Sequence, residues 1–417
     1  MTPPRRLSPT PDGPDADPDD RSVPLEAYLG ALATLDGMGS ASLRTLLSLG
    51  SPSEVWERIC RGSVDARLRN ALAPVARDAS GGWAAQARSV DPVALWTRWR
   101  SRGIGVVSIG SPSYPACLLD DLDPPVLLFH RGDLDALAHP RVAVIGTRRA
   151  TGYGRRVAHE LGLDLASAGV CVVSGLALGI DAAAHNGAVA ASDRALGSTV
   201  ETHVDPSVSG PTQAGPVAVV GGGVDAPGPS TNAALARRVV DVGAVLSEAP
   251  PGTRPAPWRF PVRNRILAAL APVVVVVESA ERGGSMLTVE QAQLRDRTVL
   301  AVPGPVDSPA SAGTNALISE GALVCRGADD VVSALGLSLE GVANSPVANR
   351  PEPDGDAASV LAVLGFTPVS IESLSRDLDL DLGRLSVALG RLEALGWAER
   401  RGPFVERVAR SDGGPRR

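Results

Sequence analysis

The sequence predicts an α/β protein whose main domain is an open, doubly wound, Rossmann-like parallel sheet. Apolar runs such as RVAVIG, GVCVVSG and PVVVVVES have the length of buried strands. Each run is followed by glycines and then by a segment of helical length with apolar periodicity. Continuous apolar strands that alternate with helices are typical of a parallel sheet covered on both faces.

The chain before this domain is polar at first and then helical. Residues 1–22 are rich in Pro and Asp and predict a disordered tail. Residues 23–103 contain short helical patterns, among them LEAYLGALATL and DPVALWTRWR, and predict a small helical domain. Gly37 and Gly39 separate two of these helices, as in a helix-hairpin-helix that presents backbone amides to a phosphate. A tight packing turn is the alternative interpretation.

The chain after this domain ends in a second small domain. The stretch VSIESLSRDLDLDLGRLSVALGRLEALGWAERRG predicts two helices and a short strand pair, which is a winged-helix pattern. Its arginines and acidic residues balance, so we expect protein contacts or a vestigial role here rather than reading of the DNA major groove. The predicted order is a tail (1–22), a helical domain (23–103), the Rossmann-like domain (104–335, with a lead-in at 104–140 and a flexible insertion at 192–215), a linker (336–357), a winged helix (358–410) and a tail (411–417).

Composition excludes several kinds of chemistry. The chain has no lysine, and all 40 basic residues are arginine, so a P-loop lysine, a kinase lysine and a pyridoxal phosphate Schiff base are excluded. The 4 cysteines lack the paired spacing of a zinc site, and we expect neither a metal nor a cofactor. No apolar stretch reaches the roughly 20 residues that span a bilayer, so we expect no membrane contact. The early residues lack a secretion signal, which predicts a cytoplasmic protein.

Basic residues are concentrated in two segments of an otherwise acidic chain. The formal net charge is −6, but residues 141–160 contain five arginines and one acid, Glu160. Residues 250–270 contain arginines and no acid. A polyanion binds to such a local basic stripe rather than to an average charge.

Three glycine-containing turns in the Rossmann-like domain predict phosphate binding. IGTRRATGYG and SGLALGIDAAAH each join a strand to a helix, so free amides and positive helix ends meet at one sheet edge. Arg148 adds a planar guanidinium that can grip a phosphate, and ERGGSMLTVEQA supplies a third turn. The first turn lacks the G-x-G-x-x-G fingerprint and the second strand ends in Ser174-Gly175 instead of an acid, so a dinucleotide is not expected. Several phosphate-binding turns along one sheet edge favour a polymeric ligand with many phosphates over a single nucleotide.

The segment WRFPVRNRILAAL places aromatic residues among arginines. Trp258 and Phe260 alternate with Arg259 and Arg263, which favours stacking on bases and contact with phosphates, although either aromatic residue alone is compatible with a core position. Asp181 and His185 lie four residues apart on one helix face. We interpret this second pair as structural, with Asp181 capping its turn and His185 packed and hydrogen-bonded.

Six motifs in this order resemble the DNA-processing protein A family (DprA, also called Smf). They are IGTRRATGYG, SGLALGIDAAAH, FPVRNRILAAL, GGSMLTVEQA, AVPGPV and GTNALISEGA, and SYPACLLDDLDPPVLLFHRG upstream also resembles that family. The resemblance covers roughly residues 25 to 335. Thr147 stands where the family usually has serine, and Gly228-Pro229 stands where it usually has Tyr-Pro.

The resemblance implies a protein without enzymatic activity. It implies binding and protection of incoming single-stranded DNA, a homodimer formed through the Rossmann-like domain, and loading of the recombinase RecA in natural transformation or homologous recombination. The residues expected to bind DNA or phosphate are Gly146, Thr147, Arg148, Arg149, Ser174, Gly175, Gly179, Arg259, Phe260, Arg263, Asn264, Arg265, Gly284 and Ser285.

Two other functions compete with this interpretation. A nucleotide phosphoribohydrolase of the lysine-decarboxylase-like fold would use the signature P-G-G-x-G-T-x-x-E. Here that signature is partial, because only Gly283-Gly284 and Thr288 match and Glu290 comes one position early. A winged-helix transcription regulator would require specific binding to duplex DNA, which the balanced charge of the C-terminal domain argues against.

Overall fold

The computed structural model describes residues 24–62, 80–197, 213–337, 351–365, 368–395 and 397–407. The chain divides into two compact units, one ending at Gly341 and the other beginning at Val342. The predicted terminal tails, residues 198–212 of the predicted insertion and residues 338–350 of the predicted linker lie outside the described residues.

The N-terminal helices pack directly on the sheet. In the described part of this region they are α1 (Leu25–Ala33), α2 (Ser40–Leu47), α3 (Pro52–Cys60), α4 (Ser80–Arg88) and α5 (Pro92–Arg100). Trp99 of α5 meets the ring of Phe129 edge-on, with 5.2 Å between the ring centroids. Both rings are buried in one hydrophobic cluster that contains residues of α1 to α5 and of the sheet. This shared core fixes the turn between α1 and α2 relative to the sheet.

The described residues form one sheet of nine strands in the first unit. In chain order they are β1 (Gly105–Ser108), β2 (Leu127–Gly132), β3 (Arg141–Ile145), β4 (Cys171–Ser174), β5 (Val217–Val219), β6 (Ala244–Ser247), β7 (Val273–Val276), β8 (Thr298–Ala301) and β9 (Leu323–Val324). Their spatial order is β1-β2-β6-β5-β4-β3-β7-β8-β9. Strands β3 to β9 are parallel, as predicted. Strand β2 pairs antiparallel with β1 and β6, so the sheet is mixed at one edge.

Helices cover both faces of the sheet, which confirms the doubly wound fold. They are α6 (Gly152–Ser167), α7 (Ile180–Gly197), α8 (Ala233–Val242), α9 (Arg259–Leu270), α10 (Met286–Gln293), α11 (Ala312–Ser319) and α12 (Ala328–Ala334). Residues of α6, α7 and α12 form a core with one face of the central strands, and residues of α9, α10 and α11 form a core with the other. The insertion was predicted to begin at residue 192, which is too early because α7 continues to Gly197.

The second unit has the predicted winged-helix architecture. It contains α13 (Gly355–Val363), β10 (Val369–Ser370), α14 (Ile371–Leu378), α15 (Leu382–Ala394), β11 (Ala398–Arg401) and β12 (Phe404–Arg407). The three strands pair antiparallel in the order β10-β12-β11. Asp381 caps α15 by accepting hydrogen bonds from the amides of Gly383 and Arg384, at 2.9 and 3.0 Å. Helix α13 begins inside the predicted linker, three residues before the predicted domain boundary.

Candidate nucleic-acid interface

The candidate site lies where the parallel strands end. Strands β4, β5 and β6 lie on one side of β3, and β7, β8 and β9 lie on the other. The strand order therefore reverses between β3 and β7, where open α/β sheets form a crevice for ligands. The predicted turns follow β3, β4 and β7, so the fold brings all three to this edge.

The first two turns contact each other. Gly179 has a φ of +81°, and a Cβ atom there would lie 2.3 Å from the carbonyl oxygen of Thr147. The amide of Ile180 donates to the same carbonyl at 3.3 Å. Gly146 is equally enclosed, since a Cβ atom would lie 2.6 Å from the Ile180 side chain. These glycines are needed for close packing of the turns, whereas the side chains of Arg148 and Arg149 are exposed.

A buried carboxylate occupies the phosphate cradle predicted at the start of α6. Glu278 follows β7 and is 1% exposed. Its Oε2 accepts from the amide of Thr151 at 2.9 Å, and its Oε1 accepts from the hydroxyl of Thr151 at 2.5 Å. The main-chain oxygen of Glu278 accepts from the amide of Thr147 at 2.7 Å. A Cβ atom on Gly154 would lie 2.2 Å from Oε2, so the carboxylate fills the helix end.

Sequence reasoning missed Glu278, although it is the first acid after the PVVVVV strand. A carboxylate is favourable here because the N-terminus of a helix carries a partial positive charge. The interpretation of Gly146 and the amides that follow it as a phosphate clamp stays a prediction, and this internal carboxylate competes with it. The anion at that helix end is part of the chain.

The second turn also has an internal carboxylate. Asp181 is 6% exposed, accepts from the amide of Ala177 at 3.4 Å, and lies close to the amide of Gly175. The Ser174 hydroxyl is fully buried and donates to the carbonyl of Val144 at 2.6 Å, so it faces away from the edge. Contact of Ser174 and Gly175 with phosphate stays a prediction, and the hydroxyl of Ser174 is not available for it in this geometry. The predicted cap at Asp181 is present.

Arg263 reaches under the second turn instead of out to solvent. It is 6% exposed, and its Nη1 donates to the carbonyl of Val219 at 2.9 Å. A Cβ atom on Gly175 would lie 2.0 Å from Nη1 and 2.5 Å from Asp181 Oδ2, so only glycine leaves room for both groups. Burial raises the pKa of Asp181, which Arg263 opposes, and burial lowers the pKa of Arg263. Arg263 therefore holds the turn in place and does not face the surface.

His185 lies deeper in the same region. It is completely buried, as predicted, but neither ring nitrogen makes a hydrogen bond of good geometry among the described residues. Burial lowers the pKa of His185 to about 4, so the ring is neutral at pH 7. The backbone of Ser174 is the hydrogen-bonding group that faces the His185 ring. A neutral ring is consistent with a packing role.

Two arginines at the edge lie over aromatic rings. The guanidinium carbon of Arg148 is 4.6 Å from the ring centroid of Phe260, and that of Arg259 is 4.4 Å from the centroid of Trp258. Arg148 comes from the turn after β3, while Phe260 lies in the first turn of α9, so the fold joins two predicted site residues distant in sequence. Trp258 is 61% exposed. Arg148 is exposed, whereas Arg259 and Phe260 are half-buried. Neither arginine has a carboxylate partner in the described part of the chain.

Arg265 and Asn264 of α9 differ in whether their side chains have polar partners. Arg265 is buried against acids: its Nη2 is 2.5 Å from Glu248 Oε1, and its Nε is 3.3 Å from Asp123 Oδ2. The charge of Arg265 is therefore paired inside the protein, and its contact with DNA stays a prediction. Asn264 is 8% exposed, and its side-chain amide has no hydrogen-bond partner among the described residues.

The third turn remains open. A Cβ atom on Gly284 would have no neighbour within 4 Å, and Arg282 beside it is exposed. The Ser285 hydroxyl donates to Ser279 Oγ at 2.8 Å and so serves the turn itself. No carboxylate accepts from the amides of this turn within the described ranges. Of the three predicted cradles, this one keeps a free helix end.

Neither alternative function gains support from the side chains present. Glu290, the acid of the partial hydrolase signature, is exposed on α10, and Thr288 is 2% exposed.

Within the residues that the structure describes, no group of three His, Cys, Asp or Glu side chains is arranged to hold a metal ion. None of the described helices has the length and apolar character to cross a membrane.

Comparison with known proteins agrees with this architecture. Residues 105–336 match the family model of DNA recombination-mediator protein A, and residues 344–402 match that of the DprA winged helix domain. The DNA processing protein DprA of Bacillus subtilis is 35% identical over 238 residues, which cover 57% of this chain and 73% of that protein. Protein Smf of Escherichia coli is 30% identical over 316 residues, 74% of this chain and 78% of that protein. The X-ray structure of DprA from Streptococcus pneumoniae has a TM-score of 0.57 at 28% identity, covering 74% of this chain and 96% of that one.

Proposed function

The chain belongs to the DNA recombination-mediator protein A family, and from this premise we propose that it binds single-stranded DNA along the carboxyl edge of its nine-stranded sheet. The observation that carries the proposal is the pair of arginine–aromatic stacks at this edge, Arg148 on Phe260 and Arg259 on Trp258. Aromatic faces that stack on bases beside cations that contact phosphates are typical of binding that tolerates any sequence.

The mechanism we propose relies on arginine side chains more than on helix ends. The Glu278 carboxylate occupies the first helix end, and Asp181 accepts from the amide of Ala177 in the second turn. Phosphates therefore meet the exposed Arg148 and Arg149 and the half-buried Arg259. The Phe260 ring under Arg148 holds the guanidinium in one orientation. This lowers the conformational entropy that the side chain loses when a phosphate binds. The open third turn at Gly284 supplies the remaining free amides.

We propose a binding protein and not a nucleotide hydrolase. The crevice between β3 and β7, where a mononucleotide would bind in this fold, contains the Glu278 carboxylate at the helix end. A second negative charge from a phosphate would be repelled there. Incubation with nucleoside monophosphates should therefore release no free base, and release of base would favour the hydrolase.

The winged helix supports protein contact rather than reading of duplex DNA. On α15, Arg384 is 2.7 Å from Asp356, and Arg391 forms an ion pair with Asp354. These pairs neutralise the cations that would otherwise face a major groove. Leu382 and Val387 on the same helix are 63% and 74% exposed. We propose that the exposed surface of α15 contacts protein.

Membership of the family suggests more specific functions for this chain. We propose that it protects incoming single strands and loads the RecA recombinase onto them, and that it acts as a homodimer. Strand β9 supports the dimer, because it lies at the sheet edge with Leu323 and Val324 52% and 42% exposed. An exposed apolar edge strand is a template for pairing with another chain.

The experiment that tests the proposal compares Arg148→Ala with Arg102→Ala. Arg102 is also exposed, but it precedes β1, whose first residue lies at the opposite edge of the sheet. Affinity for a fluorescent single strand and for a duplex is measured by anisotropy at several salt concentrations. Arg148→Ala should weaken single-strand binding roughly tenfold or more, because a charge-assisted hydrogen bond is lost.

The slope of log affinity against log salt should also fall by about 0.7 for one lost phosphate contact. Arg102→Ala should leave both quantities unchanged. Equal loss in the two variants, or equal affinity for single strands and duplex, would contradict the proposed interface.

A further inference from the structure

A cavity lies beside the proposed DNA edge, between the N-terminal helices and the sheet. Its volume is about 110 Å³. The turn between α1 and α2 forms one wall through Met38, and the apolar side chains of Leu43, Leu127, Val220 and Ile266 form much of the rest. Trp258 and Arg259 also line the cavity, and because Trp258 is 61% exposed, the cavity opens at the arginine–aromatic surface.

The cavity has the size and walls of a site for one small aromatic ring. Apolar cavities of about 150 Å³ hold a benzene molecule, and this one is somewhat smaller but open at one side. A pyrimidine is flat, with apolar faces and a polar edge, so its faces suit these walls. A purine has a second ring and fits less well.

Polar groups at one side of the cavity offer an acceptor and a donor. Glu248 lines the cavity, and its Oε1 accepts from Arg265 at 2.5 Å. The Ser40 hydroxyl lies beside the same carboxylate. A carboxylate has about four acceptor positions, so capacity to accept further hydrogen bonds remains. Arg263 lines the same cavity, and its guanidinium brings a positive charge to that wall. A positively charged donor favours a ligand that presents a hydrogen-bond acceptor.

We propose that this cavity accepts one unstacked pyrimidine of the bound strand and prefers cytosine to thymine. The proposal rests on the proposed single-strand binding. Cytosine donates from its N4 amino group, which the Glu248 carboxylate can accept, and its O2 and N3 acceptors suit the positive charge of Arg263. Thymine has an acceptor, O4, in place of the amino group and would face the carboxylate with an oxygen. The turn at Met38 and Gly39 then contacts DNA through a base rather than through backbone amides and phosphate.

The test compares 15-nucleotide strands of deoxycytidine and of deoxythymidine by anisotropy. The wild type should bind the cytosine strand roughly fivefold or more tightly, since a matched base edge discriminates by about 1 kcal/mol or more. Glu248→Gln adds an amide donor that thymine O4 accepts, so this variant should lose or reverse the preference. Glu281→Gln removes a charge from an exposed acid at the same sheet edge and should keep the wild-type preference.

A second variant keeps the test independent of the Glu248–Arg265 pair. Val262 lines the cavity and is 47% exposed, so Val262→Phe should fold and occupy the opening. It should reduce the affinity for cytosine strands to that for thymine strands. Equal binding of both strands by the wild type, with no change in either variant, would overturn the cavity proposal and leave the proposed function standing. If neither strand binds at any salt concentration, the proposed function fails and the cavity proposal fails with it.

Discussion

Replacing Glu278 should destabilise the protein and create an anion site that the wild type lacks. The carboxylate is 1% exposed and accepts from the amide and the hydroxyl of Thr151 at 2.9 and 2.5 Å. It also faces the N-terminus of α6 opposite Gly154. Glu278→Ala leaves both Thr151 donors without a partner and removes the negative charge from the helix end.

The expected loss follows from these contacts. Each buried donor left unsatisfied costs about 1–3 kcal/mol. Loss of an anion at a helix N-terminus costs about 0.3–2 kcal/mol. Water that enters the polar gap recovers part of this sum, so we expect Glu278→Ala to lower the free energy of unfolding by about 3 kcal/mol. Glu278→Gln keeps one acceptor oxygen and should lose about half as much.

The assay is urea unfolding followed by circular dichroism, with and without inorganic phosphate. Phosphate should stabilise Glu278→Ala because it can take the place of the carboxylate at the helix end. At about ten times its dissociation constant it adds about 1.4 kcal/mol. The wild type should gain much less, since its own carboxylate occupies the position.

Glu281→Ala is the matched control, because Glu281 lies three residues further on and is exposed. It should change stability by less than about 0.5 kcal/mol. The reasoning would be refuted if Glu278→Ala were as stable as the control, or if phosphate stabilised the wild type and the variant equally.

Two further predictions concern buried groups near the site. The wild type should lose up to about 3 kcal/mol of stability between pH 6.5 and pH 4, because unfolded His185 binds a proton that the buried ring, with its pKa of about 4, does not. His185→Leu should remove that part of the pH dependence in urea unfolding, and an unchanged slope would place its source elsewhere. Arg265→Ala should cost roughly 2–4 kcal/mol of stability, because it leaves Glu248 without its buried partner. It should keep the wild-type salt dependence of single-strand binding, and a smaller slope would return Arg265 to the DNA contacts.

The sequence determined the fold class and the edge at which the site lies. Uninterrupted apolar runs such as PVVVVVES can only be buried strands, and their alternation with helices leaves a parallel sheet covered on both faces. Because the carboxyl ends of parallel strands share one edge, the turns at Gly146, Gly175 and Gly284 had to meet there. The antiparallel strands β1 and β2 were missed because they lie in a lead-in with weak patterning.

Only the tertiary structure decided which side chains reach solvent at that edge. Arg148 and Arg265 are both arginines in basic segments, yet one is exposed over Phe260 and the other is buried against Glu248. No local pattern separates them, because the partner comes from a different part of the chain in each case. The same holds for Glu278, whose role depends on a helix end more than 120 residues earlier in the sequence. Sequence periodicity reports burial within one element, whereas charge pairing and hydrogen bonding depend on which elements the fold brings together.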